Sequence, residues 1–223
     1  MPSYYRWRVR VNGFASPQDK SREMILNAAK AVFLREGYGA NLDSIAKAAH
    51  VARQTVYNQF GSKQRLFSEV VQLVYQRVVG PVIVVQRDRD FISTLTNFGR
   101  SFMKMAFDSE SLALQRIALG EYSNTPELAR VAYALRASHA IPVLTDIIAN
   151  YFREQMDRGV IDRADPLIVA EAFAGSFTAH TRHRIMIGID GDSPERQDAM
   201  LQLCVTIFAR GLHYRGEVNQ PTV

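Results

Sequence analysis

The chain has few cysteines and no long apolar run. Its 223 residues include a single cysteine, Cys204, which excludes an intramolecular disulfide and suits a reducing compartment, so we expect a cytoplasmic protein. Because Cys204 lies in an apolar stripe of helical period, a packed thiol is favoured over a redox sensor. No apolar run approaches the roughly 18 residues of a membrane helix. The N-terminus lacks the apolar core of a signal peptide, so we also expect no secretory leader.

Motifs of the common enzyme classes are also missing. The sequence contains no Gly-x-Ser-x-Gly, phosphate-binding glycine loop, His-Glu-x-x-His or paired cysteines, and it shows no strand-like alternation. His180 and His183 lie one helical turn apart, but no nearby carboxylate or cysteine completes a metal site, so a structural role is favoured. We therefore expect a protein that is not an enzyme and that needs no cofactor.

Positive charge is concentrated in the first third of the chain. Residues 1–65 contain eleven Lys or Arg and four Asp or Glu, whereas the remaining residues contain 16 and 18. The basic balance, with a pI near 9.5, indicates a polyanionic partner. A membrane surface would require a basic face backed by an exposed apolar one, and the sequence lacks that pattern. Double-stranded DNA is the expected partner, and no membrane contact is expected.

Residues 41–63 hold two short helical patterns separated by a tight turn. Ile45, Ala46 and Ala49 recur at helical spacing on the first, and Val56 and Phe60 supply a matching apolar face on the second. The side chains expected to project outward can all donate hydrogen bonds to base edges or phosphates, and they are Arg53, Gln54, Thr55, Tyr57, Asn58 and Gln59. This pattern favours a helix-turn-helix DNA reader, and the alternative is the solvated face of an ordinary helical hairpin.

Neighbouring residues supply the helix boundaries that such a unit needs. Ser16-Pro17 is typical of a helix start, and residues 37–39 contain two glycines that can end that helix. Asn41 is suited to cap the second helix of the unit, and Ser62 is suited to cap the helix that follows the reader. The sequence therefore predicts a first helix that closes a three-helix core with the hairpin.

Residues 21–70 resemble the N-terminal domain of the TetR (tetracycline-repressor) family of one-component regulators. The matching positions cover about a quarter of the chain and are Ile25-Leu26-Asn27-Ala28-Ala29, Phe33, Glu36-Gly37, Ile45-Ala46, Ala49, Val51, Thr55-Val56-Tyr57, Phe60, Lys63 and Leu66-Phe67. The resemblance implies that residues 53–59 form the recognition helix, and that Lys63 anchors the DNA backbone. The expected DNA contacts are Asn41, Arg53, Gln54, Thr55, Tyr57, Asn58, Gln59 and Lys63.

Three positions depart from the family pattern. His50 stands where glycine is usual, at a turn site that favours left-handed backbone, so we expect the turn to survive with some strain. Asp43 stands where many members have a basic residue, and we assign it no DNA contact because it would repel phosphate. Ala52 replaces the usual serine cap of the recognition helix, a loss of about 1 kcal/mol.

The resemblance implies an all-α chain with two domains. We expect a flexible basic N-terminal arm over residues 1–16, a three-helix DNA-binding domain over 17–64 and a larger helical ligand-sensing and dimerisation domain over 65–223. The arm carries Arg6, Arg8 and Arg10 among aromatic residues and could enter a flanking minor groove. The alternative is a disordered tail or an extension from an upstream start.

Two helices near the C-terminus are expected to form a homodimer. They span Pro166 to Met186 and Pro194 to Leu212, and the resemblance implies that they pair with their symmetry mates in a four-helix interface. The expected interface residues are Val169, Phe173, Met200, Leu203, Cys204, Ile207 and Phe208. The alternative is burial within one subunit. Two recognition helices in a dimer would read a palindromic operator.

The helices between these two regions are expected to enclose a pocket for a small-molecule effector. Aromatic and methionine side chains with a few polar groups suit an apolar or aromatic molecule, although most of them could simply fill the core. The expected lining residues are Phe98, Phe102, Met105, Ile117, Tyr122, Tyr133, His139 and Phe177. We therefore expect a ligand-responsive regulator, in the first place a repressor released by its ligand. An activator and a sequence-indifferent DNA-binding protein are the alternatives.

Overall fold

The computed structural model describes residues 17–79, 90–121, 123–126 and 141–216, and all regular structure in these ranges is helical. The prediction of an all-α chain is therefore confirmed for this part. The proposed arm, the Ser16 cap and the pocket candidates Tyr122, Tyr133 and His139 lie outside the described residues. The helices are α1 Pro17–Glu36, α2 Leu42–Ala48, α3 Arg53–Phe60, α4 Lys63–Val79, α5 Phe91–Ala106, α6 Ser109–Gly120, α7 Ile141–Asp157, α8 Pro166–Met186 and α9 Pro194–Gly211.

The chain divides into two compact units, Met1–Val70 and Val71–Val223. The division falls inside α4, close to the boundary expected after residue 64. In the described ranges, the helices are too short or too polar for any one of them to cross a bilayer.

The first unit is a three-helix core extended by the start of α4. Ile45 of α2, Val56 of α3 and Phe33 of α1 are almost fully buried, as the helical spacing predicts. The ring of Phe33 lies edge-on to that of Phe67 in α4, with centroids 5.1 Å apart. Each such side chain contributes about 1.5–3 kcal/mol by leaving water. This core fixes how α3 is presented to solvent.

Local capping bonds set the ends of these short helices. The Asn41 side chain accepts a hydrogen bond from the Asp43 amide at 3.0 Å, and the Ser62 hydroxyl accepts one from the Arg65 amide at 3.1 Å. Both caps are as the sequence predicted. Ala52 precedes α3 without a side-chain cap, also as predicted, so its side chain satisfies none of the first amides of α3.

The turn between α2 and α3 is a Schellman motif with histidine at its left-handed position. His50 has φ +55°, which confirms the backbone conformation expected from its place in the sequence. Its amide donates to the Lys47 carbonyl at 3.2 Å, and the Val51 amide donates to the Ala46 carbonyl at 3.0 Å. The turn therefore keeps its hydrogen bonds although it lacks glycine.

The second unit is built around α8, which packs against α5, α6, α7 and α9. Phe173 of α8 is fully buried, and its ring lies 5.1 to 6.4 Å from those of Phe98, Phe152, Phe177 and Phe208. These aromatic contacts join four helices in one core.

Helices α5 and α9 cross at a glycine. A Cβ atom on Gly99 would lie 2.3 Å from Cδ1 of Leu201, which is itself fully buried. Real Cβ atoms essentially never lie so close to another atom. A side chain at position 99 would therefore force the buried Leu201 side chain to move.

Two carboxylates anchor loops of the second unit. Asp192, before α9, accepts hydrogen bonds from the Thr181 hydroxyl and from Arg184, and these partners lower its pKa. Asp162, before α8, pairs with His213 Nδ1 and with Arg215 Nη2, each at 2.7 Å. Hydrogen bonds from these two residues lower the pKa of Asp162. The segment after α9 is thereby tied to the loop before α8.

Candidate functional site

Helix α3 presents a polar face to solvent, as expected for a reader helix. Arg53, Gln54, Tyr57 and Asn58 are exposed, and Thr55 is half-buried. The Gln54 amide donates to the Asn58 side-chain oxygen at 2.9 Å, one helical turn away. Together, these side chains offer hydrogen-bond donors to the acceptor atoms of base edges and phosphates.

Gln59 does not belong to this face, so the expectation that it projects outward is wrong. Its Nε2 atom donates to the Ser21 hydroxyl of α1 at 3.0 Å, and its backbone carbonyl accepts from Arg22 Nη1 at 3.2 Å. Its Oε1 atom is buried and lacks a hydrogen-bond partner among the described residues. Position 59 lies beside the buried Val56 on the helix circumference, and residues of α1 contact that side.

Arg53 is held in place by two side chains of the same unit. Its Nη1 atom donates to Asp43 Oδ2 at 2.8 Å, and its Nη2 atom makes a long hydrogen bond of 3.4 Å to the Tyr57 hydroxyl. The guanidinium also lies 5.5 Å from the centre of the Tyr57 ring. The hydroxyl of Tyr57 and the negative charge of Asp43 raise the pKa of Arg53 above its ordinary value. Asp43, which sequence reasoning left without a role, is therefore part of this surface.

Lys63, at the start of α4, is anchored beside the loop between α1 and α2. Its ammonium donates to the Ala40 carbonyl at 3.2 Å and lies 4.5 Å from the centre of the Tyr38 ring. An ammonium has three donors, so this contact leaves capacity for a phosphate. The position at a helix N-terminus adds the positive end of the α4 dipole.

A shallow basic cleft lies beside α2. Its lining residues are Arg35, Ser44, Lys47, Ala48 and His50. None of these residues is acidic, although Arg35 itself is paired with Glu36. The cleft was not foreseen from the sequence because it joins the end of α1 to the turn after α2.

The structure corrects part of the expected dimer surface. Val169, Phe173 and Cys204 are buried within the subunit, so they cannot reach a partner, and Phe208 is half-buried against Phe173 at 5.3 Å. The exposed large apolar side chains of α8 and α9 are Leu167, Ile168, Met200, Leu203 and Ile207. Helix α8 is apolar on more than one side, and its large aromatic residues turn to the core. The exposure of Leu167 and Ile168 was therefore not predicted from the sequence.

Three of the expected pocket residues lie together between α5 and α8. The ring centroids of Phe98 and Phe102 are 5.8 Å apart, and those of Phe102 and Phe177 are 6.1 Å apart. Met105 is also buried, and Ile117 is half-buried in α6. These residues pack together in the core of the second unit, and their role in a ligand pocket stays a prediction.

Two family models match the chain. Residues 25–70 match bacterial regulatory proteins of the tetR family, and residues 93–214 match the C-terminal domain of AefR-like transcriptional repressors. The two regions correspond to the helix-turn-helix unit and to the larger helical unit described above.

Curated relatives are similar in one segment. The transcriptional repressor NicS of Pseudomonas putida is 37% identical over 70 residues, which are 30% of this chain and 33% of that protein. The transcriptional activator FasR of Mycolicibacterium smegmatis is 37% identical over 67 residues, or 30% and 31% of the two chains. The chain thus matches about a third of the length of these relatives.

Solved structures share most of the fold. A TetR-family regulator from Mesorhizobium loti superimposes with a TM-score of 0.76 at 23% identity, over 88% of this chain and 98% of that one. The flavonoid-responsive regulator FrrA gives a TM-score of 0.72 at 22% identity, over 86% and 96%. Proteins of this family bind DNA and small-molecule ligands, typically as dimers. With both of its units matched, the chain belongs to the tetR family of bacterial transcriptional regulators.

Proposed function

We propose that the protein is a transcriptional repressor that binds a palindromic operator as a homodimer and is released by a small molecule. The observation that carries this proposal is the exposed polar face of α3 on a basic three-helix unit. Repression is favoured because the AefR-like model and NicS are both described as repressors. The relative FasR makes activation the second candidate.

Arg53 and Gln54 are the proposed base readers. Both lie in the first turn of α3, the part of a recognition helix that reaches base edges in the major groove. Thr55, Tyr57 and Asn58 follow on or beside the same face and contact base edges or phosphates. Asn41 and Lys63 are the proposed anchors on the DNA backbone.

The proposed dimer forms through the exposed apolar residues of α8 and α9. Ile168, Leu203 and Ile207 are between 48% and 64% exposed in the isolated chain, which is unfavourable unless a partner covers them. Met200 extends the same surface. A second copy of the chain would place a second recognition helix on the other half of a palindrome.

The proposed effector is an apolar or aromatic molecule that contacts Phe98, Phe102 and Phe177. The fold neighbour FrrA is described as flavonoid-responsive, which is compatible with an aromatic ligand. Release requires that the ligand favour the conformation that does not bind DNA. A preference of about 1–3 kcal/mol would weaken operator binding roughly 5- to 150-fold.

Genomic footprinting with the purified full chain tests this function. The wild type should protect palindromic sites, and a reporter placed under such a site should rise in a deletion strain. Arg53→Ala should reduce the preference for these sites over random DNA, whereas the exposed Lys104→Ala in α5 serves as a control of equal charge change. Absence of any protected site would overturn the proposal, and a reporter that falls in the deletion strain would indicate an activator.

A further inference from the structure

We propose that Asp43 is a positioning residue that holds Arg53 away from phosphates and thereby increases discrimination between DNA sequences. The inference rests on the proposed role of α3 as the DNA reader. It assigns a function to a carboxylate on the surface that is expected to face a polyanion.

The contact crosses from one helix of the reading unit to the next. Asp43 lies in the first turn of α2, and Arg53 is the first residue of α3. The carboxylate accepts from one terminal guanidinium nitrogen at 2.8 Å, and the other terminal nitrogen donates to the Tyr57 hydroxyl at 3.4 Å. The centre of the Tyr57 ring lies 5.5 Å from the guanidinium carbon. The guanidinium is thus oriented from two sides before any DNA is present.

The pair is well exposed, so stability does not explain it. The side chains of Arg53 and Asp43 are 54% and 49% exposed. Ion pairs with this exposure add little to folding because water and salt screen them. Asp43 alone stabilises the positive end of the α2 dipole, and this effect does not require Arg53. The effect that remains is that the contact fixes the position of the Arg53 side chain.

The contact with Asp43 changes how the Arg53 side chain can bind DNA. A free guanidinium pairs with any phosphate, and such contacts carry no sequence information. A guanidinium has five N–H donors, and the two contacts to Asp43 and Tyr57 leave others for a bidentate bond to guanine. Asp43 also repels phosphates near the reader, which weakens binding to every sequence alike. The tether on Arg53 lowers non-specific binding more than binding to the correct site, because it withdraws the guanidinium from phosphates and keeps it available for a base.

The test compares the full-length wild type with Asp43→Asn, Arg53→Gln, the double variant and a matched control, Glu36→Gln. Glu36 is a carboxylate of the same unit that pairs with Arg35, so the control removes the same charge away from α3. Each protein is used to select binding sites from a random duplex library. Its affinity for one random-sequence duplex is then measured over a range of salt concentrations, and circular dichroism melting verifies that each variant is folded.

Asp43→Asn should bind the random duplex about 10-fold more tightly, with a log–log salt slope steeper by about one per subunit, because the released Arg53 neutralises one more phosphate. Its selected motif should lose preference at the base pair read by Arg53. Glu36→Gln should keep the wild-type motif and salt slope. In the Arg53→Gln background, Asp43→Asn should change neither the motif nor the slope beyond the control.

Two results would overturn the inference while leaving the proposed function intact. One is an Asp43→Asn motif and salt slope equal to those of Glu36→Gln, which would make the pair a surface contact without effect. The other is a motif that Asp43→Asn still alters when Arg53 is glutamine, which would make Asp43 a direct base reader. If the wild type selects no motif, the proposed function fails first and the inference fails with it.

Discussion

Replacing His50 by glycine should stabilise the first unit. His50 has φ +55°, a conformation that costs an L-residue roughly 1–2 kcal/mol and costs glycine nothing. Glycine raises the entropy of the unfolded chain, which offsets about 0.4–1 kcal/mol of that gain. The imidazole is exposed, so little packing is lost, and the two turn hydrogen bonds are made by backbone atoms. The net expectation is a gain of about 0.5–1 kcal/mol.

A control lies two residues earlier. Ala48 is exposed and ends α2 in helical conformation, so Ala48→Gly should lower stability by up to about 1 kcal/mol. The test is guanidinium unfolding of the full chain, monitored by far-UV circular dichroism. The midpoint concentration for the first unit should rise by about 0.2–0.3 M in His50→Gly and should fall in Ala48→Gly. Backbone strain at His50 is ruled out if both glycines lower the midpoint equally.

Four further outcomes are expected. Gln59→Ala should lower the free energy of unfolding by about 1 kcal/mol, because it removes the hydrogen bond to Ser21. It should leave the selected DNA motif unchanged, and an altered motif in a selection experiment would show that Gln59 contacts DNA. Gly99→Ala should cost about 1–3 kcal/mol in denaturant unfolding through overpacking, and the same substitution should cost much less in a Leu201→Ala background, where the clashing methyl group is absent. Ile207→Glu should yield particles of 25.1 kDa by light scattering, and a persistent dimer would place the interface elsewhere. The pKa of Asp162 is lowered in the folded state, so its ionised side chain stabilises the fold above the unfolded pKa near 3.9, and this stabilisation is lost as the pH falls through the lower, folded-state pKa. Asp162→Asn should therefore flatten the acid side of a curve of unfolding free energy against pH.

The features that sequence reasoning captured are local ones. Asn41 and Ser62 cap helices through amides two or three residues away, and the His50 turn closes within five residues. Such contacts are determined by spacing along the chain and need no knowledge of the tertiary fold. The helix order and the apolar faces of α1 to α3 follow from the same kind of information.

The contacts that could not be predicted from the sequence depend on which helix packs against which face of its neighbour. Gln59 is polar, yet α1 lies over it and turns it into a core contact. Asp43 and Arg53 are ten residues apart and meet only because the turn folds α2 against α3. In α8, apolar residues occur on several sides, so periodicity alone could not separate the buried Phe173 from the exposed Ile168.

The single thiol gives the protein a built-in probe of its own motions. Cys204 is 6% exposed within α9 and has no other cysteine to react with in the chain. An alkylating reagent can modify it only when α9 opens, so the labelling rate in native buffer reports the opening free energy of the second unit. The first unit is silent in this measurement. If the proposed effector binds beside Phe98 and Phe177, it should slow the labelling, which can be followed without an added fluorophore or a substitution.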